Sequence, residues 1–236
     1  MEYKCSCRKM SSQTIKLLPG KYYHIYNRGI NSCNIFHRSG DYERFLFLYE
    51  KYIYPIVNTY AWVLMPNHVH FLVRIKENLV YKYTIEEIKL FEKEGVDWGL
   101  KKWETVTYGN CMEIARKKIP NPSSHFAHMF SSYSKYFNAK YERHGALFEY
   151  KFKRKLVNNV AYLKQVLLYI HNNPVHHGFC DDPIEYPWSS YLSCLSEKET
   201  KILRDDVINW FDSKAYFKAG HCGNPKDRSI EDWLGI

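Results

Sequence analysis

No stretch of this 236-residue chain holds the roughly eighteen uninterrupted apolar residues that a membrane span requires, so no transmembrane helix and no membrane partner are expected. The opening segment, MEYKCSCRKMSSQ, lacks the apolar core of a secretory signal. Seven cysteines, an odd number without framework spacing, suit reduced thiols in a cytoplasm rather than a disulfide scaffold. Cys5 and Cys7 with His221 and Cys222 match no standard zinc spacing. Internal repeats and low-complexity tracts are also lacking.

What is present is basic and aromatic. Lysine plus arginine number 34 against 25 acidic residues, a net charge of +9, and aromatics reach 17% with 21 tyrosines. That balance fits a polyanion whose bases can stack, single-stranded nucleic acid above all. A basic protein with a tyrosine-rich core has the same composition. The length and a 45% hydrophobic content suit one large domain, or a domain with an elaboration.

Periodicity divides the chain. KYYHIYNR at 21–28 reads as a strand, with Tyr23 and Ile25 on one face and His24 and Tyr26 on the other. Asp41 to Tyr54 has apolar residues at helical spacing, with Ser39 or Asp41 as N-cap. Two strands at about 58–65 and 68–75 flank Pro66-Asn67, a tight-turn pair. Residues 76–122 are polar and punctuated and read as an insertion, with a short helix at Thr84–Lys93. A second long helix is predicted over Ser124–Arg143, capped by Ser123 or Ser124. A strictly alternating strand follows over Ala146–Val157, placing Phe148, Tyr150 and Phe152 opposite Lys151, Lys153 and Lys155. A last helix opens at Asn159 and is expected to stop at Pro174. The order βαββαβ predicts an α+β, ferredoxin-like antiparallel sheet with helices on one face and the last helix, which carries Tyr169, on the otherwise open face. Residues 1–19 are assigned to an N-terminal segment, 20–195 to the main domain and 196–236 to a C-terminal extension.

The chemistry concentrates at AWVLMPNHVHFLVR, residues 61–74. Alternation turns Val69, Phe71 and Val73 to a core and His68 and His70 to the opposite face, where two imidazoles make half of a metal site. With eleven histidines, chance supplies such a pair in roughly every second chain, so the context must decide. In VAYLKQVLLYIHNNPV, Gln165, Tyr169 and Asn173 recur every fourth residue and form a stripe beside the apolar Leu163, Leu167 and Ile170. A phenol can act as a nucleophile and an amide oxygen can complete a ligand set. On these residues alone, a core tyrosine and a helix-end amide before proline are the favoured reading.

Five blocks stand in order: YYHIYNRG at 22–29, AWVLMPNHVHFLV at 61–73, YSKYFNAKYERHGALFEYKFK at 133–153, YLKQVLLYIHNNPVHHGF at 162–179 and EYPWSSY at 185–191. In these the chain resembles the HUH-type single-tyrosine transposases of the insertion-sequence family, particularly the REP-associated branch. The resemblance covers most of residues 20–192. It implies that His68, His70 and Asn173 are metal ligands, that Mg²⁺ or Mn²⁺ is the cofactor, and that Tyr169 is the nucleophile. It further implies single-stranded DNA with hairpin or palindromic ends as substrate, and a monomer or homodimer. Imidazole and amide ligands suit Mn²⁺ and other transition ions better than Mg²⁺.

Lys151, Lys153, Arg154 and Lys155 form the densest basic run and are candidates for the phosphate backbone, as are Asn27 and Arg28 of the first block. His176 and His177 read as surface residues and Trp188 as packing. Two rival classes share some of these features. A non-catalytic nucleic-acid-binding module on the same sheet needs the charge and aromatics but not His68, His70 and Tyr169 together. A metal-dependent hydrolase of small substrates would need a carboxylate beside the histidines, and none is evident.

Overall fold

The computed structural model describes residues 15–95 and 106–222; Cys5 and Cys7 lie outside them. Four strands, β1 (Tyr22–Arg28), β2 (Val57–Met65), β3 (His68–Ile75) and β6 (Lys153–Val157), form an antiparallel sheet in the order β2-β3-β1-β6. β2 and β3 make a hairpin closed at Pro66-Asn67, with Met65 opposite His68. Helix α1 (Ser39–Tyr52) links β1 to β2. Between β3 and the next long helix lie a two-stranded ribbon of β4 (Leu79–Tyr81) and β5 (Val106–Tyr108), with α2 (Ile85–Lys93) and α3 (Cys111–Arg116). Then come α4 (Pro122–Lys140), α5 (Val160–His176), α6 (Tyr191–Leu195), α7 (Arg204–Trp210) and α8 (Lys214–His221).

Several predicted boundaries shift for identifiable reasons. Helix α1 begins after Arg38, because Asp41 caps from its third position by accepting the His37 and Arg38 N–H groups. Helix α4 is capped by Asn121, whose side chain accepts the Ser124 N–H. Pro122 at the first helical position has no N–H to leave unsatisfied. Pro174 does not end α5; it sits in the last turn, where one lost hydrogen bond is tolerated, and Asn173 still accepts the His177 N–H. The alternating strand expected over 146–157 is regular only from Lys153. Lys151 takes a left-handed φ of 62°, which breaks the pleat and leaves Tyr150 91% exposed while Phe148 and Phe152 are buried.

Both faces of the sheet are covered, the second by the helix expected there and, beyond that expectation, by chain after residue 195. On one side Tyr23, Ile25, Val69, Phe71 and Val73 pack against Phe45 and Tyr49 of α1 and Phe126, Met129, Tyr133 and Phe137 of α4. On the other, Ala61, Val63, Met65 and Leu72 meet Leu163, Val166, Leu167 and Ile170 of α5. Ile202, Val207, Phe211 and Phe217, from the chain beyond residue 195, complete this second core. The apolar residues of α7 and α8 therefore close the face that the four strands and α5 alone leave uncovered. Trp188 is packing, stacked on Tyr42 at 4.4 Å.

A buried polar chain ties that second layer together. Ser190 Oγ accepts the Trp62 N–H at 2.8 Å and lies 2.8 Å from His171 Nε2. His171 Nδ1 is 3.0 Å from His221 Nε2, and His221 Nδ1 donates to the Phe217 carbonyl at 2.7 Å. Burial pushes the His221 imidazole down to about 4 and holds His171 well below the ordinary histidine value. With both rings neutral, one set of proton positions satisfies every link: hydroxyl to His171, His171 to His221, His221 to carbonyl. The interior of this layer thus carries three polar side chains, Ser190, His171 and His221, and no orphan along the chain.

The helix layer on the first face is pinned by Asp41, whose carboxylate is fully buried. Lys140 Nζ donates to Oδ1 at 2.6 Å, Tyr141 to Oδ2 at 2.7 Å and Tyr136 to Oδ1 at 3.2 Å, joining the start of α1 to the end of α4. Burial alone would raise this carboxyl. The hydrogen bonds from Lys140, Tyr141 and the His37 and Arg38 amides override it and bring the group down to about 2. A depressed carboxylate stabilises the fold above its ordinary value near 3.8, and that contribution fades as pH falls from there towards 2. Asp41→Ala is expected to cost on the order of 2–4 kcal/mol and to flatten the acid limb of a stability–pH curve measured by urea unfolding.

Candidate active site

The register of the sheet assembles the site. Pairing of β3 with β1 sets His70 opposite Tyr26 and His68 opposite Arg28, while pairing of β1 with β6 sets Tyr26 opposite Lys153 and His24 opposite Lys155. Residues directly opposite share a face. One row across the sheet therefore reads Val63, His70, Tyr26, Lys153, and its neighbour reads Leu72, His24, Lys155. Helix α5 crosses this face and lowers Tyr169 and Asn173 onto it, 5% and 1% exposed. The Tyr169 ring meets His70 edge-on with centroids 5.4 Å apart. His68 Nε2 lies 2.8 Å from Asn173 Oδ1.

Tyr26, His68, His70 and Tyr169 line a cavity of about 390 Å³, with Arg28, Asn67, Glu149, Lys153 and His177 around it, while Asn173 and His24 contact its wall through His68 and His70. A larger cleft, of about 670 Å³, lies between residues 16–19 and 114–123 and has no histidine, cysteine or tyrosine in its wall. The imidazoles of His24, His68 and His70 are held neutral. Burial lowers His68 to about 4, aided by the charges of His177 and Arg28 against the opposing Asn173 contact. Burial lowers His24 to about 3, and Lys155 contributes. His70 is held well below its ordinary value by burial and then by His68, His24 and His177. A neutral imidazole is the form that binds metal.

The donor set can be tested on its hydrogen bonds. Asn67 Nδ2 donates to the Ser32 carbonyl at 3.4 Å, which turns Asn67 Oδ1 towards His68 Nδ1 at 2.6 Å. A carbonyl oxygen only accepts, so His68 carries its proton on Nδ1 and presents a lone pair at Nε2. That lone pair faces the Asn173 amide oxygen, and Asn173 Nδ2 is buried without a partner. Two acceptors in contact beside an orphaned donor are the arrangement a cation resolves. An amide turned through 180° satisfies the same contact when the site is empty. His68, His70 and Asn173 thus fit a divalent ion that tolerates nitrogen ligands. Among the described residues no group of three or more histidine, cysteine or acidic side chains could hold a metal. An ion here therefore relies on the amide.

The DNA-contact candidates separate. Lys153 lines the cavity and Lys155 shares its face, whereas Arg154, opposite Ile25, projects to the other face and donates to Ser123 Oγ at 2.6 Å. Lys151 lies outside β6. Arg28 is exposed at the rim, while Asn27, opposite Val69, is buried and its Oδ1 accepts the Arg28 N–H at 3.0 Å. His177 is exposed, as expected of a surface residue, and its ring lies 5.1 Å from that of His68 at the edge of the cavity. The expectation that no carboxylate accompanies the histidines is corrected by Glu149, which lines the same cavity and lies 3.6 Å from Lys153. His24, Tyr26 and Asn67 are site residues that the sequence reading did not select. The alternation of β1 already put His24 and Tyr26 on one face, and only the β1–β3 pairing shows that it is the face of His70.

No protein-family description and no curated protein matches the chain. Among solved structures it is similar to a REP-associated tyrosine transposase bound to a REP hairpin, at 13% identity and a TM-score of 0.49, over 80% of this chain and 87% of that one.

The turn that carries Asn67 and His68 is held from behind by residues 29–36: Gly29 N–H donates to the Asn67 carbonyl, and Ile35 and Phe36 N–H to that of Pro66. A Cβ on Gly29 would run into the Cys33 carbonyl oxygen. Gly29→Ala is expected to destabilise the protein by about 1–3 kcal/mol, read as a lowered urea midpoint, because the loop must shift to admit the methyl group.

Proposed function

We propose that this protein is a metal-dependent single-stranded DNA endonuclease and strand transferase that works through a covalent phosphotyrosine. The observation that carries the reading is the placement of Tyr169 and Asn173, one helical turn apart, against His70 and His68, with His68, His70 and Tyr169 lining one cavity. The net charge of +9, the basic rim of Arg28 and Lys153, and the ordered blocks resembling HUH-type single-tyrosine transposases support it. The strand order β2-β3-β1-β6 supports the ferredoxin-like description of the core unit.

His68, His70 and Asn173 would hold a divalent ion, Mn²⁺ or Mg²⁺. When bound it would polarise the scissile phosphate and offset charge on its non-bridging oxygens. Arg28 and Lys153 bind the flanking backbone as point charges and forks around the cavity mouth. Tyr169, its ring fixed against His70 and its helix anchored in the second core, presents its phenolic oxygen to phosphorus. The phenol loses its proton, the new P–O bond forms on Tyr169, and the P–O3′ bond breaks. The leaving 3′ oxygen takes up a proton, leaving a 3′-hydroxyl and a 5′-phosphotyrosine. Since one ester replaces another, a second 3′-hydroxyl can reverse the step and join strands without a nucleotide cofactor. A single chain supplies both histidines and the tyrosine to one cavity, which supports cleavage by a monomer.

Three variants test this on a panel of labelled single-stranded hairpins with Mn²⁺ or Mg²⁺. His68→Ala and His70→Ala are expected to abolish cleavage while keeping most DNA affinity. Tyr169→Phe is expected to retain metal and DNA binding and to lose the covalent adduct on a denaturing gel. A Phe variant that still cleaves would remove Tyr169 from the reaction. Asn173→Asp, which exchanges an amide oxygen for a carboxylate, is expected to tighten Mn²⁺ binding measured calorimetrically by about tenfold or more.

A further inference from the structure

We propose that His24 and Asn67 are positioning residues that hold His70 and His68 in one tautomer, with the proton on Nδ1 and the lone pair on Nε2. The inference rests on the metal-site reading above and concerns residues outside its ligand set.

For His68 the argument is direct. Asn67 donates one amide N–H to the Ser32 carbonyl at 3.4 Å and turns its oxygen to His68 Nδ1. Asn67 is itself fixed by the turn, since its backbone carbonyl accepts the Gly29 N–H. The His68 ring therefore has its Nδ1 proton committed and its Nε2 facing Asn173.

For His70 the partner is another histidine. His24 Nε2 lies 2.9 Å from His70 Nδ1, and the two rings are nearly parallel, at 9°. Both are buried, and His24 Nδ1 has no hydrogen-bond partner. One proton lies between the two rings. If it belongs to His70, Nε2 of His70 keeps its lone pair for a metal and the second proton of the pair sits on the orphaned nitrogen of His24. If it belongs to His24, His70 carries its proton on Nε2 and cannot serve as a ligand there. A fully buried imidazole with one unpartnered nitrogen is a costly choice at a strand position where valine or leucine packs without loss. What the imidazole adds at this position is the acceptor for His70. Metal-ligating histidines in general depend on such a partner for ring orientation and basicity.

Two measurements on the full-length protein decide the matter. Two-bond ¹H–¹⁵N spectra of the histidine-labelled, Mn²⁺-free protein, assigned with His68→Ala and His70→Ala, report the tautomers directly. Both rings are expected as Nδ1–H, and an Nε2–H signal for His70 with its partner intact would overturn the proposal. Mn²⁺ affinity is then compared among His24→Phe, which removes the acceptor, His24→Gln, which restores an oxygen acceptor, and Asn67→Leu. His24→Phe and Asn67→Leu are expected to weaken binding 10- to 100-fold, with His24→Gln within a few-fold of the parent. Unchanged affinity in folded His24→Phe would refute the role. If the parent and His68→Ala bind Mn²⁺ alike, the metal site itself is wrong, whereas the tautomers still report on His24 and Asn67. Should His24→Phe fail to fold, the spectra of the intact protein and the His24→Gln affinity still decide.

Discussion

The site depends on the antiparallel register between β1 and β3. Because side chains alternate with a period of two, a slip of one residue would carry His68 and His70 into the first core and bring Val69 and Phe71 to the cavity. The register is over-determined. Tyr23 and Ile25 are buried with Val69, Phe71 and Val73 on one side, and the turn at Pro66-Asn67 is bonded to residues 29–36 at its tip. Hydrophobic burial on one face thus places chemistry on the other. The imidazoles gain a rigid strand without needing interactions of their own to stay in place.

Desolvation then shapes what those imidazoles can be. In a protein of net charge +9, with Lys155, Arg28 and His177 near the site, charged histidines would repel one another and their surroundings. Burial resolves this by keeping His24, His68 and His70 neutral. The positive charge is left to the rim, on Arg28 and Lys153, where water solvates it and where an extended polyanion can reach it. The ion pair between Lys153 and Glu149 is solvent-screened, worth no more than about 1 kcal/mol, and does not block that role.

Much of the core unit was legible because its strands and helices have strong periods. The His68/His70 face, the β2–β3 hairpin and the Asn159 cap all follow from local pattern. The strand over 146–157 misled because alternation is a necessary but not sufficient sign. Phe148 and Phe152 are buried as a strand would have them, yet Lys151 adopts a left-handed backbone that no side-chain pattern announces. Asn121 displaced the expected Ser123 or Ser124 cap because Pro122 favours the first helical position, and Asp41, expected at the N-cap itself, acts from the third position through the amides of residues 37 and 38. His24, Asn67 and Glu149 were out of reach for a different reason. Their roles arise from pairing and loop closure between segments that lie 46 residues apart for His24 and His70. Long-range register has no local signature.

The buried chain from Trp62 through Ser190, His171 and His221 to Phe217 couples distant parts of the molecule. His171 lies two residues from Tyr169 on the same helix, facing away from the cavity and into the layer built by α7 and α8. The far end of the chain therefore acts as a mount. It sets the roll and depth of the helix that carries the phenol, much as a lens barrel sets focus without touching the light. A substitution in α8 therefore reaches the layer on which the helix of Tyr169 rests without touching any residue that lines the cavity.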